Sequence, residues 1–321
     1  MESRDTMNAI VLDRFGGVDE LASRRIPLPQ VGDDDVLIRV EFAGAASWDA
    51  VEREGHYDGA FGVASTFPYV LGWDAAGTVA ALGRNVTGFD VGERVYASTN
   101  PVQRGGFYAE YGVVEAEFVA RVPDRLPTEQ AGAMPWDALT ALGGLDLLGL
   151  PQGATLMVFG ASGGVGHMAV QLARHRGIRV LAVASGDDGV ALARRLGADE
   201  VVNGRKDDVL AAASQFAPDG LDAALVTAGG ETAERSLRAV KSSGLIAWPN
   251  GVLPLPVTPP SAKVSYYDGD ITRAATDRLN AIIEASSFEV HLARTFPLEN
   301  VKDAHRALDD HYVGKLALKV G

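Results

Sequence analysis

Two textures of hydrophobic and polar residues divide the chain. From residue 7 to about 125, short apolar runs are cut by glycine. Ile10–Leu12 ends at Gly16-Gly17, Val36–Phe42 follows the Gly32-Asp33 turn, Gly77–Leu82 ends at Gly83, Arg94–Tyr96 follows Gly92, and Tyr111–Val114 follows Gly105-Gly106. Short strands at that spacing predict a compact barrel-like domain. From Thr155 apolar runs alternate with amphipathic segments. Leu156–Phe159, Arg179–Ala184, Glu200–Val202, Asp222–Val226 and Leu245–Trp248 predict strands; Val165–Arg176, Asp188–Leu196, Asp207–Phe216 and Glu231–Val240 predict the helices between them. That order predicts a doubly wound parallel sheet, with Val264–Tyr266 as its sixth strand. A helical pattern from Pro127 to about Leu148, with Thr128 as N-cap, joins the two textures. The tail returns to the first texture: helices near Ile271–Ala285 and Val301–Leu308, then a strand Leu316–Val320. The expected organisation is a β-rich domain, 1–125 completed by 268–321, and an α/β domain, 126–267.

The stretch Thr155–Gly177 organises the second texture. Leu156–Phe159 is apolar throughout, as a strand buried on both faces requires. The chain turns through Gly160-Ala161-Ser162-Gly163-Gly164-Val165-Gly166 and becomes helical: Val165, Met168, Ala169, Leu172 and Ala173 share one face, and Gly177 supplies the stop. Ala161-x-Gly163-x-x-Gly166 thus lies between a strand and a helix, the context in which a glycine motif reads as a dinucleotide-binding turn. Gly163 and Gly164 let backbone N–H groups approach a pyrophosphate that faces the helix N-terminus. Ala161, Ser162, Gly163, Gly164, Val165 and Gly166 are therefore candidate cofactor-binding residues.

Composition narrows the function classes. The chain has 321 residues, a length that suggests two domains. Its formal net charge of -13 repels a nucleic-acid backbone. It has no cysteine, which excludes disulfides, thiolate metal sites and a cysteine nucleophile. No apolar run reaches the length of a membrane span, and the polar start Met1–Thr6 lacks a signal-peptide core. Met7 offers an alternative start, and a cytoplasmic location is the expectation.

The second predicted strand bears on cofactor choice. A carboxylate at its end would grip the ribose 2′-OH of NAD. That position holds Ala184, followed by Ser185. Ser185 can donate to a 2′-phosphate, and Arg205 or Lys206, after the third strand, can pair with it. These residues predict NADPH over NADH, with Asp187 and Asp188 read as first-turn helix residues; Arg205 and Lys206 read equally well as a solvated pair. Asn250 and Gly251 follow the fifth strand at the carboxyl edge, where such a sheet binds its ligand.

Beyond the glycine turn, several short motifs recur in a specific order and spacing: Asp35–Val40, Leu71–Gly77, Gly92–Val95, Gly105–Tyr111, Leu139-Thr140-Ala141, Gly229–Thr232, Ala304–Leu308 and Gly314-Lys315. On these, nearly the whole chain from Met7 to Gly321 resembles the zinc-independent quinone oxidoreductases of the medium-chain dehydrogenase/reductase superfamily, the group that includes zeta-crystallin. The resemblance implies an α/β protein with a GroES-like β-barrel catalytic domain and a Rossmann domain, a nicotinamide cofactor in the cleft between them, and commonly a homodimer. It places Thr140 beside the nicotinamide, against the alternative of a mid-helix Thr bonded to its own backbone; Lys315 where a tail lysine approaches the cofactor, or equally as a surface lysine; and Tyr57 and Asp49 in the active-site loop, with Tyr57 reading equally as a tyrosine packed at the domain edge. Many relatives carry Asn-Pro where this chain has Ala46-Ser47, so Ser47 is expected to take part of the lost amide's role. Asp49 positions Tyr57 or caps a helix. Trp48, Phe61 and Phe67 are expected to wall the acceptor, and His56 is either a proton shuttle or an exposed loop histidine.

Zinc alcohol dehydrogenases share this fold. Where they carry a cysteine ligand this chain has Ala43–Asp49, and where they carry Gly-His-Glu it has Gly72-Trp73-Asp74. Its six histidines, His56, His167, His175, His291, His305 and His311, pair at no metal spacing. No catalytic zinc is expected. The implied activity is hydride transfer from NADPH to a quinone or α,β-unsaturated carbonyl, an acceptor electrophilic enough to need no metal, with the Tyr57 phenol donating to its oxygen. Two alternatives stand beside it: an enoyl-thioester reductase, and a low-turnover NADPH-binding sensor or structural protein, which the change to Ala46 keeps open.

Overall fold

The computed structural model describes residues 5–60, 62–100 and 104–321; Met1–Arg4 and Phe61 lie outside the described residues. The chain divides into two compact units. One is the chain up to Trp136 with Ile271–Glu284 and Leu292–Gly321; the other is Asp137–Asp270 with Ala285–His291.

The first unit opens with β1 (Thr6–Leu12), β2 (Ala22–Pro27), β3 (Asp35–Ala45), helix α1 (Ser47–Arg53), β4 (Tyr69–Val70), β5 (Asp74–Leu82), β6 (Arg94–Ser98), β7 (Tyr111–Glu115), β8 (Val119–Arg121) and α2 (Thr128–Ala133). The long β3 is its hub, pairing antiparallel with both β5 and β7. Along it Val36, Ile38 and Val40 are buried against Val79, Val95 and Val114, the alternation expected of a strand with one face on a core. Thr128 is not the N-cap of α2: Pro127 is, and the Thr128 hydroxyl accepts from Arg94 Nε at 3.2 Å instead. The single helix expected over 127–148 is broken ahead of Pro135, because proline has no N–H to continue the helical hydrogen-bond ladder. The first unit therefore runs past the expected boundary at 125 and includes α2.

The second unit contains α3 (Pro135–Leu148) from Asp137 onward, β9 (Thr155–Phe159), α4 (Gly164–His175), β10 (Arg179–Ala184), α5 (Gly186–Arg195), β11 (Glu200–Asn203), α6 (Val209–Phe216), β12 (Leu221–Val226), α7 (Glu231–Ser236), β13 (Val240–Pro249) and β14 (Lys263–Tyr267). Its six strands run parallel in the order β11-β10-β9-β12-β13-β14. Numbered from β9, that is 3-2-1-4-5-6, a doubly wound sheet that reverses direction between β9 and β12. All five residues of β9 are buried, which explains its unbroken apolar run. The helix expected to reach Val240 stops at Ser236, because Val240 pairs with Leu221 and opens β13.

The tail supplies α8 (Arg273–Ala285), β15 (Leu292–Pro297), α9 (Val301–Ala307) and β16 (Lys315–Lys319). β16 pairs antiparallel with β3 and parallel with β15, which completes the seven-stranded sheet of the first unit. The short segment Ala285–His291 departs from the expected organisation and belongs to the second unit. Gln171 on α4 holds Glu289 by both backbone groups at 2.9 Å, and His167 Nε2 accepts the His291 N–H at 3.2 Å. Among the described residues no helix is long and apolar enough to cross a membrane.

Candidate functional site

In the second unit the glycine turn joins β9 to α4. Gly160 has φ +86°, and its N–H and that of Ala161 donate to Val183 O at 3.0 and 2.9 Å. Gly163 closes the turn on Gly160 O at 3.0 Å and caps α4 without a side-chain oxygen. The N–H groups of Gly164, Val165 and Gly166 then begin the helix with no intrahelical carbonyl to bind, at the positive end of its dipole. A Cβ on Gly166 would stand 2.1 Å from Gly160 O, whereas one on Gly163 would meet Gly160 O alone at 3.5 Å. Gly166 is thus required by packing, and Gly163 keeps the turn bare.

On α3, buried Asp137 packs its carboxylate against Gly164. One turn further, Thr140 is 3% exposed and its Oγ1 has no hydrogen-bond partner. The reading of Thr140 as a helix residue bonded to its own backbone therefore fails. A buried hydroxyl without a partner is costly, and a polar group on a bound dinucleotide would satisfy it. The turn and this orphaned hydroxyl both fit a dinucleotide cofactor.

At the end of β10, the buried Ser162 Oγ accepts the Ser185 N–H at 3.2 Å and ties the turn to the N-cap of α5. Asp187, in the first turn of α5, is held by Lys206 Nζ at 2.8 and 2.9 Å and by Asn203 Nδ2 at 3.0 Å. The hydrogen bond from Lys206 holds the Asp187 carboxyl below its ordinary range. Lys206 is therefore engaged, and Arg205 is exposed beside it. Past β13, Asn250 Nδ2 donates to Asp268 at 2.9 Å, and Gly251 turns the chain with φ +92°.

The remaining candidates gather in the first unit around α1. Ser47 begins the helix and is exposed. Asp49 is buried, and its Oδ2 accepts the Ala46 N–H at 2.8 Å, which caps the helix from inside. Burial lifts the Asp49 carboxyl well above its usual value, with Glu52 and Asp74 adding and the Ala46 N–H and Lys315 opposing. Lys315 is itself buried, with Nζ 4.8 Å from the Trp48 ring centroid. Tyr57 is half-buried beyond α1; its ring lies 5.7 Å from that of Trp73, which meets Trp136 edge-on at 4.5 Å. Tyr57, Trp73 and Trp136 thus form one aromatic cluster with Trp73 buried at its centre. Trp48 lies under Lys315, and Phe67 packs edge-on against Phe15 at 5.0 Å. His56 is exposed, 3.7 Å from Glu54.

Sequence reasoning missed Glu52. It is 2% exposed, and its two oxygens accept from the Tyr69 hydroxyl and, at 2.7 Å, from the Trp73 indole. No ion pair reaches it among the described residues, and burial pushes its carboxyl up to about 7 against those two hydrogen bonds. The helix Ser47-Trp48-Asp49-Ala50-Val51-Glu52-Arg53 turns Asp49, Glu52 and Arg53 inward. Charges three and four apart ordinarily mark a solvated face, so only the lack of an apolar stripe could have signalled this inversion.

Residues 32–124 match the alcohol dehydrogenase GroES-like domain, and residues 164–250 the zinc-binding dehydrogenase family. An NADPH-dependent alkenal/one oxidoreductase, chloroplastic, of Arabidopsis thaliana is 30% identical over 97% of this chain and 79% of its own length. The chain belongs to the medium-chain dehydrogenase/reductase superfamily. Among other members, human quinone oxidoreductase is 28% identical over 93% of each chain. A solved NAD-dependent alcohol dehydrogenase has a TM-score of 0.89 at 27% identity, covering 98% of this chain and all of its own. As a medium-chain dehydrogenase/reductase the protein is an oxidoreductase of the pyridine-nucleotide type, with a GroES-like domain and a Rossmann domain. The stretches Ala43–Asp49 and Gly72-Trp73-Asp74 contain neither cysteine nor histidine. Among the described residues no group of three or more His, Asp or Glu side chains has metal-binding geometry.

Proposed function

We propose that the protein is an NADPH-dependent reductase of quinones or α,β-unsaturated carbonyls that works without catalytic zinc. One observation carries this reading: a bare dinucleotide cradle, with the orphaned Thr140 hydroxyl beside it, stands in a chain with no cysteine or histidine in Ala43–Asp49 or Gly72-Trp73-Asp74. The printed names of the Arabidopsis and human relatives favour the same acceptor class. Thr140 and the turn Ala161–Gly166 would hold the dinucleotide, Asn250 and Gly251 line the sheet edge, and Ser185 and Arg205 meet the 2′-phosphate. A reduced nicotinamide, when bound, supplies the hydride. In the first unit Tyr57 donates a hydrogen bond to the acceptor oxygen, and Ser47, Asp49 and Lys315 hold the α1 end of that site.

Purified protein is expected to oxidise NADPH with a panel of quinones and enones, at a kcat/KM for NADPH roughly tenfold or more above that for NADH, and to carry no stoichiometric zinc. Equal kcat/KM for the two cofactors, one zinc per chain, or no turnover with any acceptor overturns the reading.

We also infer that two copies pair at the β14 edge. β14 is the last strand of its sheet, Tyr266 on it is 71% exposed, and Leu253, Leu255 and Val257 ahead of it are exposed too. An unpaired strand with apolar side chains is a template for a second one. Sedimentation velocity should give a dimer for the native protein and a monomer for Val264→Lys/Tyr266→Lys; a native monomer defeats this inference.

A further inference from the structure

The buried side of α1 calls for an explanation that packing does not give. A carboxylate removed from water without a cationic partner costs stability unless its bonds do something in return. Asp49 caps the helix with its carboxylate, and Arg53 holds Gly16 O at 3.1 Å and His305 Nδ1 at 2.9 Å. Glu52 serves neither the helix nor a loop. It grips two aromatic donors from outside the helix: Tyr69 on β4, and Trp73 just ahead of β5. Trp73 stands between the half-buried rings of Tyr57 and Trp136. The indole carries one polar group, its N–H, and that donor ends on Glu52 at 2.7 Å.

We propose that Glu52 is a positioning residue for the reduction: its carboxylate locks the Trp73 indole, and Trp73 in turn holds Tyr57 in place for the acceptor oxygen. The inference rests on the reading of the protein as a reductase of quinones or enones and adds a residue that touches neither cofactor nor acceptor.

The chemistry of the lock makes it testable. Both the Tyr69 O–H and the Trp73 N–H donate, so both oxygens of Glu52 must accept. A protonated carboxyl, or the amide of glutamine, keeps one acceptor oxygen for the indole while its own O–H or N–H turns to the Tyr69 hydroxyl, which can accept. Both arms then persist, but the bond on Trp73 loses the charge that strengthens it, so protonating Glu52 loosens the lock, Glu52→Gln loosens it at every pH, and Glu52→Leu removes it. Burial raises this carboxyl to about 7, so the change falls near neutrality. The other groups around it are Asp49 on α1, Asp58 beyond it, Asp74 on β5, Tyr69, Tyr108 and Lys315. Burial lifts Asp49, Tyr69 and Tyr108 as well.

The experiment compares the native protein, Glu52→Gln and Glu52→Leu. For the native protein, kcat with a quinone is expected to rise with pH through about 7 and then level off. Glu52→Leu has no acceptor for the indole and is expected to lose about tenfold in kcat at pH 8 while binding NADPH unchanged. Glu52→Gln keeps an acceptor, so its kcat should stay within about threefold of native, and it should lose the pH step. A merely structural role would leave that pH step in place in Glu52→Gln. Native kcat in Glu52→Leu, or the native pH profile in Glu52→Gln, overturns the proposal. Tryptophan emission of the free protein, titrated from pH 5.5 to 8.5, reads the lock without turnover: a transition near 7 in the native protein that vanishes in Glu52→Gln is expected. Its absence from the native protein counts against the lock even if no acceptor is reduced, whereas failure of turnover with the emission change intact counts against the reductase reading alone.

Discussion

Substitution of Gly166 by alanine is expected to cost the protein both its cofactor affinity and the stability of its second unit, whereas Gly163→Ala should cost affinity alone. A methyl group on Gly166 would lie 2.1 Å from Gly160 O, 2.7 Å from Gly160 C and 2.8 Å from Ala161 Cα. All three are backbone atoms of the same turn, so none can rotate away. Either α4 or the end of β9 must shift, at the roughly 1–3 kcal/mol that overpacking costs. That outweighs the gain of up to about 1 kcal/mol that alanine brings to a helix interior. The shift also moves the N–H groups of Gly164 and Val165, and an anion held by two or three such donors should bind about thirtyfold or more weaker. On Gly163 the same methyl meets only Gly160 O at 3.5 Å, an ordinary contact, but it covers the face a diphosphate must approach. NADPH titration by fluorescence together with thermal unfolding separates the two cases. Equal affinity in Gly163→Ala and the native protein would show that no ligand approaches this backbone.

How much of this was legible in the sequence follows from how each element is buried. β9, β10 and β12 are covered on both faces, so their apolar runs show without help from any neighbour, and the glycine turn between β9 and α4 carries its own punctuation. β2 and β15 are the opposite case. Ala22–Pro27 and Leu292–Pro297 keep few side chains from water, and they are strands only because β1 and β16 supply their hydrogen bonds. In the candidate site, the residues of the turn were readable from their place between an apolar strand and an amphipathic helix, whereas Thr140 was reached only through the family resemblance. Glu52 was not readable, since a Glu one turn from Asp49 has the local signature of a wet helix face, and only contacts with Tyr69 and Trp73, 17 and 21 residues away, turn that face inward. Lys315 was read from the motif Gly314-Lys315 as a cofactor neighbour. On β16 the pairing of Leu316 with Ala45 sets it by α1 and the Trp48 ring, a placement that no short motif carries.

His305 should govern how the protein fails in acid. It is 1% exposed; its Nδ1 accepts from Arg53 at 2.9 Å, its Nε2 has no partner, and its ring meets Tyr108 edge-on at 5.8 Å. Burial first, and the nearby Arg53 charge second, lower its pKa from 6.5 to about 3. The folded protein thus keeps this histidine neutral while the unfolded chain protonates it below about 6.5, so the unfolded state binds the extra proton and stability falls as pH drops from about 6.5 toward 3. At pH 5 the loss is about 2 kcal/mol, growing to roughly 4–5 kcal/mol at pH 3. Glu52 works in the other direction. Its carboxyl is raised from 4.5 to about 7, so the folded state holds the proton longer and stability falls by roughly 3 kcal/mol as pH rises from about 4.5 through 7. The two slopes leave the first unit most stable between about pH 5 and 7. His305→Gln keeps an acceptor for Arg53 and removes the titration. Its melting temperature relative to the native protein is expected to rise by about 4–8 °C between pH 7 and pH 5, whatever its value at pH 7. A difference that stays constant across that range would show that His305 protonates in the folded state as readily as in the unfolded one, and its burial beside Arg53 would then carry no acid sensitivity.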